Sequence, residues 1–500
     1  MYEKENFETL KRIFVLEKRK IKCKVLLNYV LLCLVFVFLS FIALRMSSLH
    51  PLVHKDSEID SSVFKTIAMQ MSEGLMPYRD TFDHKGPLLY VINYLGQLIS
   101  FYRGVWLFEF GAVFFTLAMM YKIASLFLSR GYSLLVVLFA GTLIMEYLSG
   151  GNLTEEYAMP FISLALFIFL DFFKNSKISI LRLICCGLCL GYVLMLRPNM
   201  IAAWFVGCIA VLIKSVKNKD KCIGKYLVFF LLGVVIAVFP FVIWLAVNNS
   251  MQDFIECYWS FNVLYCKVSF SSKISAFFYF MKKPVTIVAI LASIFSCLKN
   301  RKEEISWINF LLLMFSLFFI SISGCTSGAD NYGMVLVPVV VSPIANFLSH
   351  ILEFKENRRG IGIIVACIFL MGLISEEWIE MTKKTVDAYL YPEDMCSQEV
   401  YSICNYVEEF STEEDKISVT GNRDIIYVKS KRLPATRYSF QWPIGVYNPQ
   451  IMDDYYKQLM EEHPKIIITE QSNERMKDFA SRNGYTLLTD IGDDTRLFIG

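Results

Sequence analysis

Residues 49–86 read LHPLVHKDSEIDSSVFKTIAMQMSEGLMPYRDTFDHKG and run directly into the apolar residues PLLYVINYLG. An apolar run also precedes them, so a charged loop is enclosed by two apolar parts of the chain. The charged and titratable side chains concentrated there include Asp56, Glu58, Asp60, Arg79, Asp80, Asp83, His84 and Lys85. Acids beside cations at a membrane surface predict a site that binds an anionic lipid group, such as a lipid phosphate.

The composition of the whole chain is that of a membrane protein. Of its 500 residues, 55% are hydrophobic, and the mean hydropathy is +0.47. Apolar runs of about 20 residues recur, each long enough to cross a hydrocarbon core as a helix. The 14 cysteines lie mostly inside such runs, as in ICCGLC. They are therefore interpreted as small packing residues and not as a disulfide framework or a metal site.

About eleven apolar runs are predicted to span the membrane. They lie at roughly residues 25–46, 105–128, 133–149, 157–173, 180–196, 199–214, 226–247, 276–298, 306–323, 332–351 and 361–376. The first run follows a basic segment within residues 1–24, which predicts a retained signal anchor with a cytoplasmic N-terminus. The predicted fold is a mainly α-helical polytopic membrane protein whose membrane domain occupies residues 25–376.

The distribution of Lys and Arg predicts the orientation of this domain. Residues 87–102 are apolar but short, and if they do not cross, the later loops rich in Lys and Arg all face the cytoplasm. If they crossed, this bias would invert. We therefore predict a juxtamembrane or half-buried helix at 87–102 on the outer face, within a first outer loop at residues 47–104. The same parity places residues 377–500 outside.

The polar C-terminal region, residues 377–500, has the pattern of a small α/β domain. Its predicted strands are KISVTG, IIYVKS, KIIITE, YTLLTD and TRLFIG. Between them, SQEVYSICNYVEEF and NPQIMDDYYKQLMEEH have helical spacing. We expect an extracytoplasmic domain of ordinary size attached to the membrane domain.

The first outer loop contains a further predicted helix, which precedes the one at 87–102. Its apolar residues recur at helical spacing: Val63, Phe64, Ile67, Ala68 and Met71. Asp60 stands near its start and Gly74 at its end. The simplest interpretation of Asp60 is an N-cap. The functional interpretation is a catalytic base held at the membrane surface, and one residue can serve as both.

A second candidate in this loop is Lys85. Pro87 suits the first position of the next helix, so Lys85 lies near a helix N-terminus, where backbone N–H groups favour an anion. Lys85 is therefore either a phosphate ligand or an interfacial lysine that extends its amine to water. The density of charged and titratable neighbours favours the ligand: Arg79, Asp80, Asp83 and His84.

The other predicted outer loops add polar groups on the same side. Glu155 and Glu156 in GGNLTEEYAMP are either solvated or helix N-terminal acids, or they contact a substrate. Arg197 in LMLRPNM lies between two spans, where an arginine needs a partner or an anionic ligand. Asp330, Asn331 and Tyr332 in GADNYGM complete this set of candidates.

Motifs for other chemistries are missing from the sequence. It contains neither a P-loop nor a GxSxG motif, and Pro51 breaks helical spacing between the two histidines of HPLVH. The three residues EID match an acidic metal motif too short to be specific. We therefore predict no metal site and no required cofactor, although a divalent metal is possible, and no nucleic-acid partner.

The ordered set of motifs resembles a known family. PYRDTFDHKGPLLY, preceded by DSSVF and followed by GGNLTEEYAMP, LRPN and NYGMVLVP, resembles bacterial membrane glycosyltransferases of the GT-C superfamily. The group it resembles is related to protein O-mannosyltransferases and lipid A aminoarabinose transferases. The resemblance covers roughly residues 25–376. The C-terminal region is similar to the extracytoplasmic domain that many of these proteins carry.

The resemblance implies an inverting transferase that moves a sugar from a polyprenyl phosphate to an acceptor hydroxyl at the outer face. The acceptor is a cell-envelope lipid, glycan or protein, and membrane lipid surrounds the enzyme. Asp60 matches the acid regarded as the base, and Lys85 matches the lysine that contacts the lipid phosphate. Arg197 and Arg79 are expected to bind the same phosphate. The expected substrate-binding residues are Asp80, Asp83, His84, Glu155, Glu156, Asn331 and Tyr332.

Two positions depart from the pattern of the family. Asn331-Tyr332 stands where relatives often have His-Tyr, and His84 stands where the aminoarabinose transferases have Glu. Both positions bear on the identity of the sugar and on metal use.

Two other functions stay open for a multi-pass protein of the plasma (inner) membrane. One is a flippase or transporter of lipid-linked sugars, although such proteins often have inverted repeats and broken helices at the midplane. The other is a scaffold or polymer-length regulator that has kept the fold without the activity.

Overall fold

The computed structural model describes residues 26–52, 59–323, 329–352, 378–391, 397–492 and 494–500. The membrane part is helical and consists of α1 (Leu26–Met46), α2 (Ile59–Ser72), α3 (Pro87–Ile99), α4 (Gly104–Ala124), α5 (Arg130–Tyr147), α6 (Thr154–Asn175), α7 (Ile180–Leu194), α8 (Ala202–Lys217), α9 (Ile223–Val247), α10 (Met251–Phe254), α11 (Phe261–Tyr265), α12 (Phe270–Met281), α13 (Pro284–Lys299), α14 (Glu304–Ile322), α15 (Leu336–Val339), α16 (Val341–Leu352) and α17 (378–390). Short 3₁₀ turns lie at Pro198–Met200 and Asp330–Val335, and a π-helical turn lies at Ile255–Ser260.

Many of these helices are built to cross a membrane. Within the described residues, six are long and apolar enough, namely α1, α4, α5, α6, α9 and α14, and two bent pairs of helices raise the number to eight. Helices α7 and α8, with 15 and 16 residues, occupy two further predicted spans. The predicted span at 361–376 lies outside the described residues. The helical polytopic membrane fold is thus confirmed, and the total number of crossings stays a prediction.

Two of the predicted spans are bent. The segment 276–298 divides into α12 and α13, which meet at 81°. The break lies before Pro284, which has no N–H to continue the helix and keeps Lys283 in an extended conformation, with φ −63° and ψ 137°. The segment 332–351 likewise bends by 41° between the helical stretches that end at Val339 and begin at Val341.

The first outer loop folds as expected into two short helices. Helix α2 carries its apolar residues inward, and Gly74 follows it with a φ of +81°, in the left-handed region that favours glycine. Helix α3 begins at Pro87 and is a separate short helix that packs against α2 and α4. Between them, residues 75–86 form the turn that carries Asp83, His84 and Lys85.

The C-terminal region forms a compact α/β unit around one sheet. Its elements are α18 (Gln398–Phe410), β1 (Ile417–Val419), α19 (Ile425–Ser430), α20 (Gln441–Gly445), α21 (Gln450–Glu462), β2 (Ile466–Glu470), α22 (Glu474–Arg482), β3 (Thr486–Ile491) and β4 (Thr495–Ile499). The four strands have the order β1-β2-β4-β3. Strands β1 and β2 are parallel, and β4 pairs antiparallel with β2 and with β3.

The prediction of one strand in this unit was wrong. The residues IIYVKS form helix α19, with Ile426, Tyr427 and Val428 buried, and not a strand. A short apolar run does not distinguish a buried strand from a buried helix by its spacing. Here the run packs against α2 and α18, and the Tyr427 hydroxyl accepts a hydrogen bond of 2.7 Å from the Val419 N–H. Tertiary packing therefore decided its structure.

The α/β unit docks directly on the first outer loop. Arg437 donates through Nη2 to the carbonyl oxygen of Tyr78 across 2.6 Å, and its own carbonyl oxygen accepts from the Phe82 N–H at 2.7 Å. On the neighbouring side, the Thr66 hydroxyl donates to the backbone oxygen of Asp424, 3.5 Å away. These contacts hold both α2 and the turn at 75–86 against the C-terminal unit.

Candidate active site

A cavity of about 460 Å³ lies between the first outer loop and the C-terminal unit. Several predicted site residues line it: Asp60, Asp83, His84, Lys85, Arg197, Asn331 and Tyr332. They come from four distant parts of the sequence, so the fold has gathered them. A concave site in which acidic and basic groups converge is the usual form of an active site.

Asp60 belongs to the first turn of α2 and is exposed toward the cavity. The apolar side of α2, including Phe64 and Ile67, is buried and fixes the direction in which Asp60 projects. A carboxylate in the first turn is favoured by the partial positive charge of the helix N-terminus. This position leaves the carboxylate accessible to a molecule in the cavity.

The turn that carries Asp83 is held by two buried tyrosines. The Tyr78 hydroxyl donates to the Lys85 carbonyl oxygen at 2.8 Å, and the Tyr90 hydroxyl lies 3.2 Å from the same oxygen. Tyr90 donates to Asp83 Oδ2 at 2.9 Å, and the His84 N–H donates to Asp83 Oδ1 at 2.6 Å. Tyr78 itself has a φ of +71°, which turns the chain sharply before this segment.

Asp83 and His84 are both buried, and burial shifts both toward neutrality. Burial raises the pKa of Asp83, an effect that the positive charge of Lys85 opposes. Burial lowers the pKa of His84 well below its usual value, and the charges of Lys85 and Arg197 lower it further. His84 is therefore a neutral imidazole at physiological pH.

Lys85 rests on this neutral imidazole. Its Nζ lies 2.9 Å from His84 Nε2, so Nε2 accepts and the ring proton is assigned to Nδ1, which lies 3.3 Å from Asp83 Oδ1. Within the described part of the chain, no carboxylate forms an ion pair with Lys85. The Lys85 amine is thus available to bind a ligand in the cavity, and its contact with His84 sets its direction.

Arg197 is the second cation of the cavity, and it is already paired. Its Nη1 donates to Glu155 Oε1 across 2.5 Å, its Nη2 donates to the Tyr332 hydroxyl, and its guanidinium lies 4.2 Å from the centre of the Tyr332 ring. Both Arg197 and Glu155 are buried. Glu155 therefore fixes the orientation of Arg197 and does not itself line the cavity.

Gly86 explains why the two cations are neighbours. Its N–H donates to the Leu196 carbonyl oxygen at 3.0 Å, and the Leu88 N–H donates to the Met195 oxygen at 3.1 Å. A Cβ on Gly86 would lie 2.0 Å from the Met195 oxygen, so only glycine permits this approach. The backbone contact sets Lys85 beside the segment that carries Arg197.

Other predicted site residues lie elsewhere. Arg79 and Asp80 form an ion pair of 2.7 Å on the surface, and this pair lowers the pKa of Asp80. Arg79 also donates to the Asn248 carbonyl oxygen at 2.9 Å. Glu156 is buried beside Glu109 and accepts from the Leu153 N–H at 3.4 Å as part of a helix cap. None of these three lines the cavity, so their roles in binding stay predictions without geometric support.

The sequence analysis missed the other wall of the cavity. It is formed by residues of the C-terminal unit and one residue of α11: Asn422, Phe440, Trp442, Pro443, Ile444, Val446, Tyr447 and Tyr265. The stretch SFQWPIGVYN, residues 439–448, carries several aromatic residues and a proline within a polar region, and this was the available signal. Because this stretch carries no charged residue, a search for titratable groups did not find it.

The family model described as "Putative competence-induced protein Ccs4 N-terminal domain" matches residues 16–359. The chain belongs to this Ccs4 family. The match covers the predicted spans up to α16 and all the cavity residues contributed by the membrane part. No curated protein matches the sequence of this Ccs4-family member.

Solved structures show the fold of this Ccs4-family protein. ArnT from Cupriavidus metallidurans bound to undecaprenyl phosphate has a TM-score of 0.60 at 13% identity, covering 94% of this chain and 98% of ArnT. The apo form of that ArnT gives 0.59 at 12% identity, with 95% and 98% covered. The apo oligosaccharyltransferase of Archaeoglobus fulgidus gives 0.50 at 12% identity, with 87% and 69% covered. The predicted GT-C fold is thereby confirmed.

Proposed function

We propose that this protein is a membrane glycosyltransferase that moves a sugar from a polyprenyl phosphate to an acceptor hydroxyl. The observation that carries the proposal is the meeting of Asp60, Lys85 and Arg197 in one cavity. Two cations and one accessible acid are the groups that such a transfer needs. The similar fold of an ArnT that was crystallised with undecaprenyl phosphate supports the choice of donor.

The reaction requires stabilisation of a leaving phosphate. As the bond between the sugar C1 and the phosphate oxygen breaks, its electron pair passes to the phosphate, which becomes a dianion. Lys85 and Arg197 are the cavity cations that stabilise this charge. Lys85 is the stronger candidate for direct contact because its neighbour His84 is neutral, whereas Arg197 already binds Glu155.

The acceptor hydroxyl requires a base that removes its proton. Its hydroxyl oxygen attacks C1 from the face opposite the phosphate, and the hydroxyl proton passes to the Asp60 carboxylate. The same carboxylate stabilises the oxocarbenium character that the sugar acquires. One displacement on one face inverts the anomeric centre. No covalent sugar–enzyme intermediate is part of the proposal.

The other polar residues of the cavity are assigned to the sugar. Asn331 offers an amide to sugar hydroxyls, whereas buried Asp83 accepts from the His84 backbone N–H and holds the backbone that carries His84 and Lys85. The positive charge of Lys85 and Arg197 makes a metal ion dispensable, so we propose a metal-independent transfer. That the site faces the outside of the plasma (inner) membrane rests on the distribution of Lys and Arg and is part of the proposal.

Comparison of cells with and without the protein tests this function. Mass spectrometry of surface glycans, lipids and proteins is expected to reveal one sugar that is present only when the protein is present. The purified protein, supplied with the lipid-linked sugars from those cells and with acceptors extracted from their envelope, is expected to release polyprenyl phosphate. Unchanged envelope composition together with no release would contradict the transferase.

The flippase alternative predicts a different result in sealed vesicles. A flippase moves the intact lipid-linked sugar across the bilayer and leaves the bond between sugar and phosphate unbroken. A transferase breaks that bond and requires no movement across the bilayer. Mass spectrometry of the lipid after incubation therefore separates the two.

A further inference from the structure

The cavity has two walls of unlike chemistry. The wall from the membrane part carries the acids and cations described above. The wall from the C-terminal unit carries no charge and consists of one amide, Asn422, and the segment 440–447. Since the first wall contains the groups for the phosphate, the second wall is available for another part of the reactants.

The second wall presents aromatic rings to the cavity. Trp442 is 68% exposed although it belongs to a well-packed helix, α20, whose Gln441 and Ile444 are buried. Tyr447 lies beside Tyr265, with ring centres 4.8 Å apart, and Tyr265 lies 5.2 Å from His84. A row of rings thus leads from His84 at the charged wall to Tyr447 at the other wall.

The same wall also offers an unused hydrogen-bond acceptor. Asn422 Oδ1 is buried, and no group within the described residues donates to it. A buried acceptor without a donor is unfavourable, so a ligand that brings a hydroxyl to this atom gains a hydrogen bond. An isoprenoid tail has no hydroxyl to offer.

We propose that Trp442, Tyr447 and Asn422 form a subsite for a carbohydrate acceptor. A pyranose has apolar C–H faces, which pack on the electron-rich face of an aromatic ring, and an edge of hydroxyls that donate hydrogen bonds. The exposed Trp442 ring and the free Asn422 oxygen match these two features. The inference rests on the proposed function and narrows its acceptor from a lipid, glycan or protein to a glycan.

Binding measurements on the full-length protein in lipid nanodiscs test the subsite. The probes are an array of short pyranose oligosaccharides, a Ser/Thr-rich peptide library and undecaprenyl phosphate, each measured separately. The wild-type protein is expected to bind at least one oligosaccharide. Trp442→Leu, which keeps an apolar side chain but removes the ring, and Asn422→Ala are each expected to weaken this binding roughly tenfold.

Two controls make the result specific. Trp307→Leu removes another exposed tryptophan, which is 47% exposed and does not line the cavity, and is expected to leave oligosaccharide binding unchanged. Trp442→Phe retains a ring and is expected to bind more tightly than Trp442→Leu. Undecaprenyl phosphate binding is expected to be the same in wild type, Trp442→Leu and Asn422→Ala.

The binding results distinguish a carbohydrate subsite from a site for a protein acceptor or for the lipid tail. No oligosaccharide bound, or binding that is insensitive to Trp442→Leu, overturns the subsite even if undecaprenyl phosphate binds. Peptide binding lost in Trp442→Leu also overturns it and assigns the wall to a protein acceptor. Weakened undecaprenyl phosphate binding in Trp442→Leu assigns the wall to the lipid tail. Oligosaccharide binding without undecaprenyl phosphate binding supports the subsite and contradicts the proposed donor.

Discussion

Gly86 donates its backbone N–H to the carbonyl oxygen of Leu196, 3.0 Å away, and with the Leu88–Met195 hydrogen bond this contact joins the first outer loop to the segment that follows α7. Lys85 precedes Gly86 and Arg197 follows Leu196 in the sequence. The two cations of the cavity are therefore held together by main-chain hydrogen bonds and not by their own side chains, which repel one another.

Gly86→Ala is expected to disrupt this contact. The added Cβ would meet backbone atoms of Met195, which cannot move aside as a flexible side chain does. Overpacking of this kind costs about 1–3 kcal/mol, so we expect a lower apparent Tm and weaker binding of undecaprenyl phosphate. Gly111→Ala is the matched control, because a Cβ at Gly111 has no neighbour within 4 Å. Wild-type behaviour of both variants would contradict the role of Gly86.

Lys85→Ala is expected to weaken the binding of undecaprenyl phosphate roughly 10- to 100-fold, the usual loss for a hydrogen bond to a charged group. The loss is expected to shrink at high salt, because the contact is electrostatic. Titration of the purified protein with the lipid measures it. Lys267→Ala, which removes an exposed lysine that does not line the cavity, is the control. Equal affinity of wild type and Lys85→Ala would exclude a phosphate contact.

Asp60→Asn is expected to reduce sugar transfer by roughly 100- to 10,000-fold, the range typical of removing a general base. Binding of undecaprenyl phosphate is expected to persist, since the amide keeps the shape of the carboxylate. Release of polyprenyl phosphate from the native donor measures the rate. Glu73→Gln alters an exposed acid just beyond the other end of α2 and serves as the control. Normal turnover by Asp60→Asn would remove Asp60 from the mechanism.

The Arg197–Glu155 pair predicts a pattern of stability. Arg197→Met leaves the buried Glu155 without its counter-ion, and breaking a buried pair in this way costs about 3–5 kcal/mol. The double variant Glu155→Gln, Arg197→Met removes both charges and is expected to recover part of that loss. The apparent Tm of the purified proteins in detergent measures the effect. A double variant less stable than Arg197→Met would show that Glu155 is not destabilised by losing its partner.

Asp424 predicts a dependence of stability on pH at the contact between the C-terminal unit and α2. Burial raises the pKa of Asp424 from 3.8 to about 7, and the charge of Asp83 raises it as well. The folded protein therefore binds a proton between about pH 4 and pH 7 that the unfolded chain has released. The free energy of unfolding is expected to fall across this window as pH rises, by up to about 1.4 kcal/mol per pH unit.

Asp424→Asn removes this titration. The variant is expected to have a higher apparent Tm than the wild type at pH 8, and the difference is expected to shrink toward pH 4. Asp453→Asn, at a highly exposed acid of α21, is the control and is expected to follow the wild-type profile. Parallel pH profiles of wild type and Asp424→Asn would contradict the raised pKa.

The sequence predicted one wall of the cavity because charge between apolar runs is a strong signal. Asp60, Lys85 and Arg197 stand out for that reason, and the cavity gathers all three. Arg79 and Asp80 carried the same signal yet lie on the surface, because the sharp turn at Tyr78 directs neighbouring residues to different sides. The spacing of residues along the sequence does not show on which side of a turn each side chain lies.

One wrong strand and one bend that was not predicted have a similar origin. The run IIYVKS is apolar in both a strand and a helix, and only its neighbours α2 and α18 decided between them. The span predicted at 276–298 contains Lys282, Lys283 and Pro284 between two apolar stretches, and mean hydropathy gives no sign that a proline lacks the N–H needed to continue a helix. The wall at 440–447 was missed because uncharged aromatic residues in a sequence do not by themselves indicate a binding site.

The two walls of the cavity are distant in the sequence, since Lys85 and Arg197 precede Trp442 by more than 200 positions. Mutations that alter one wall leave the residues of the other untouched. Within such an architecture, a different recipient molecule requires changes only in a loop of a few residues, while the residues proposed to cleave the lipid-linked sugar stay the same.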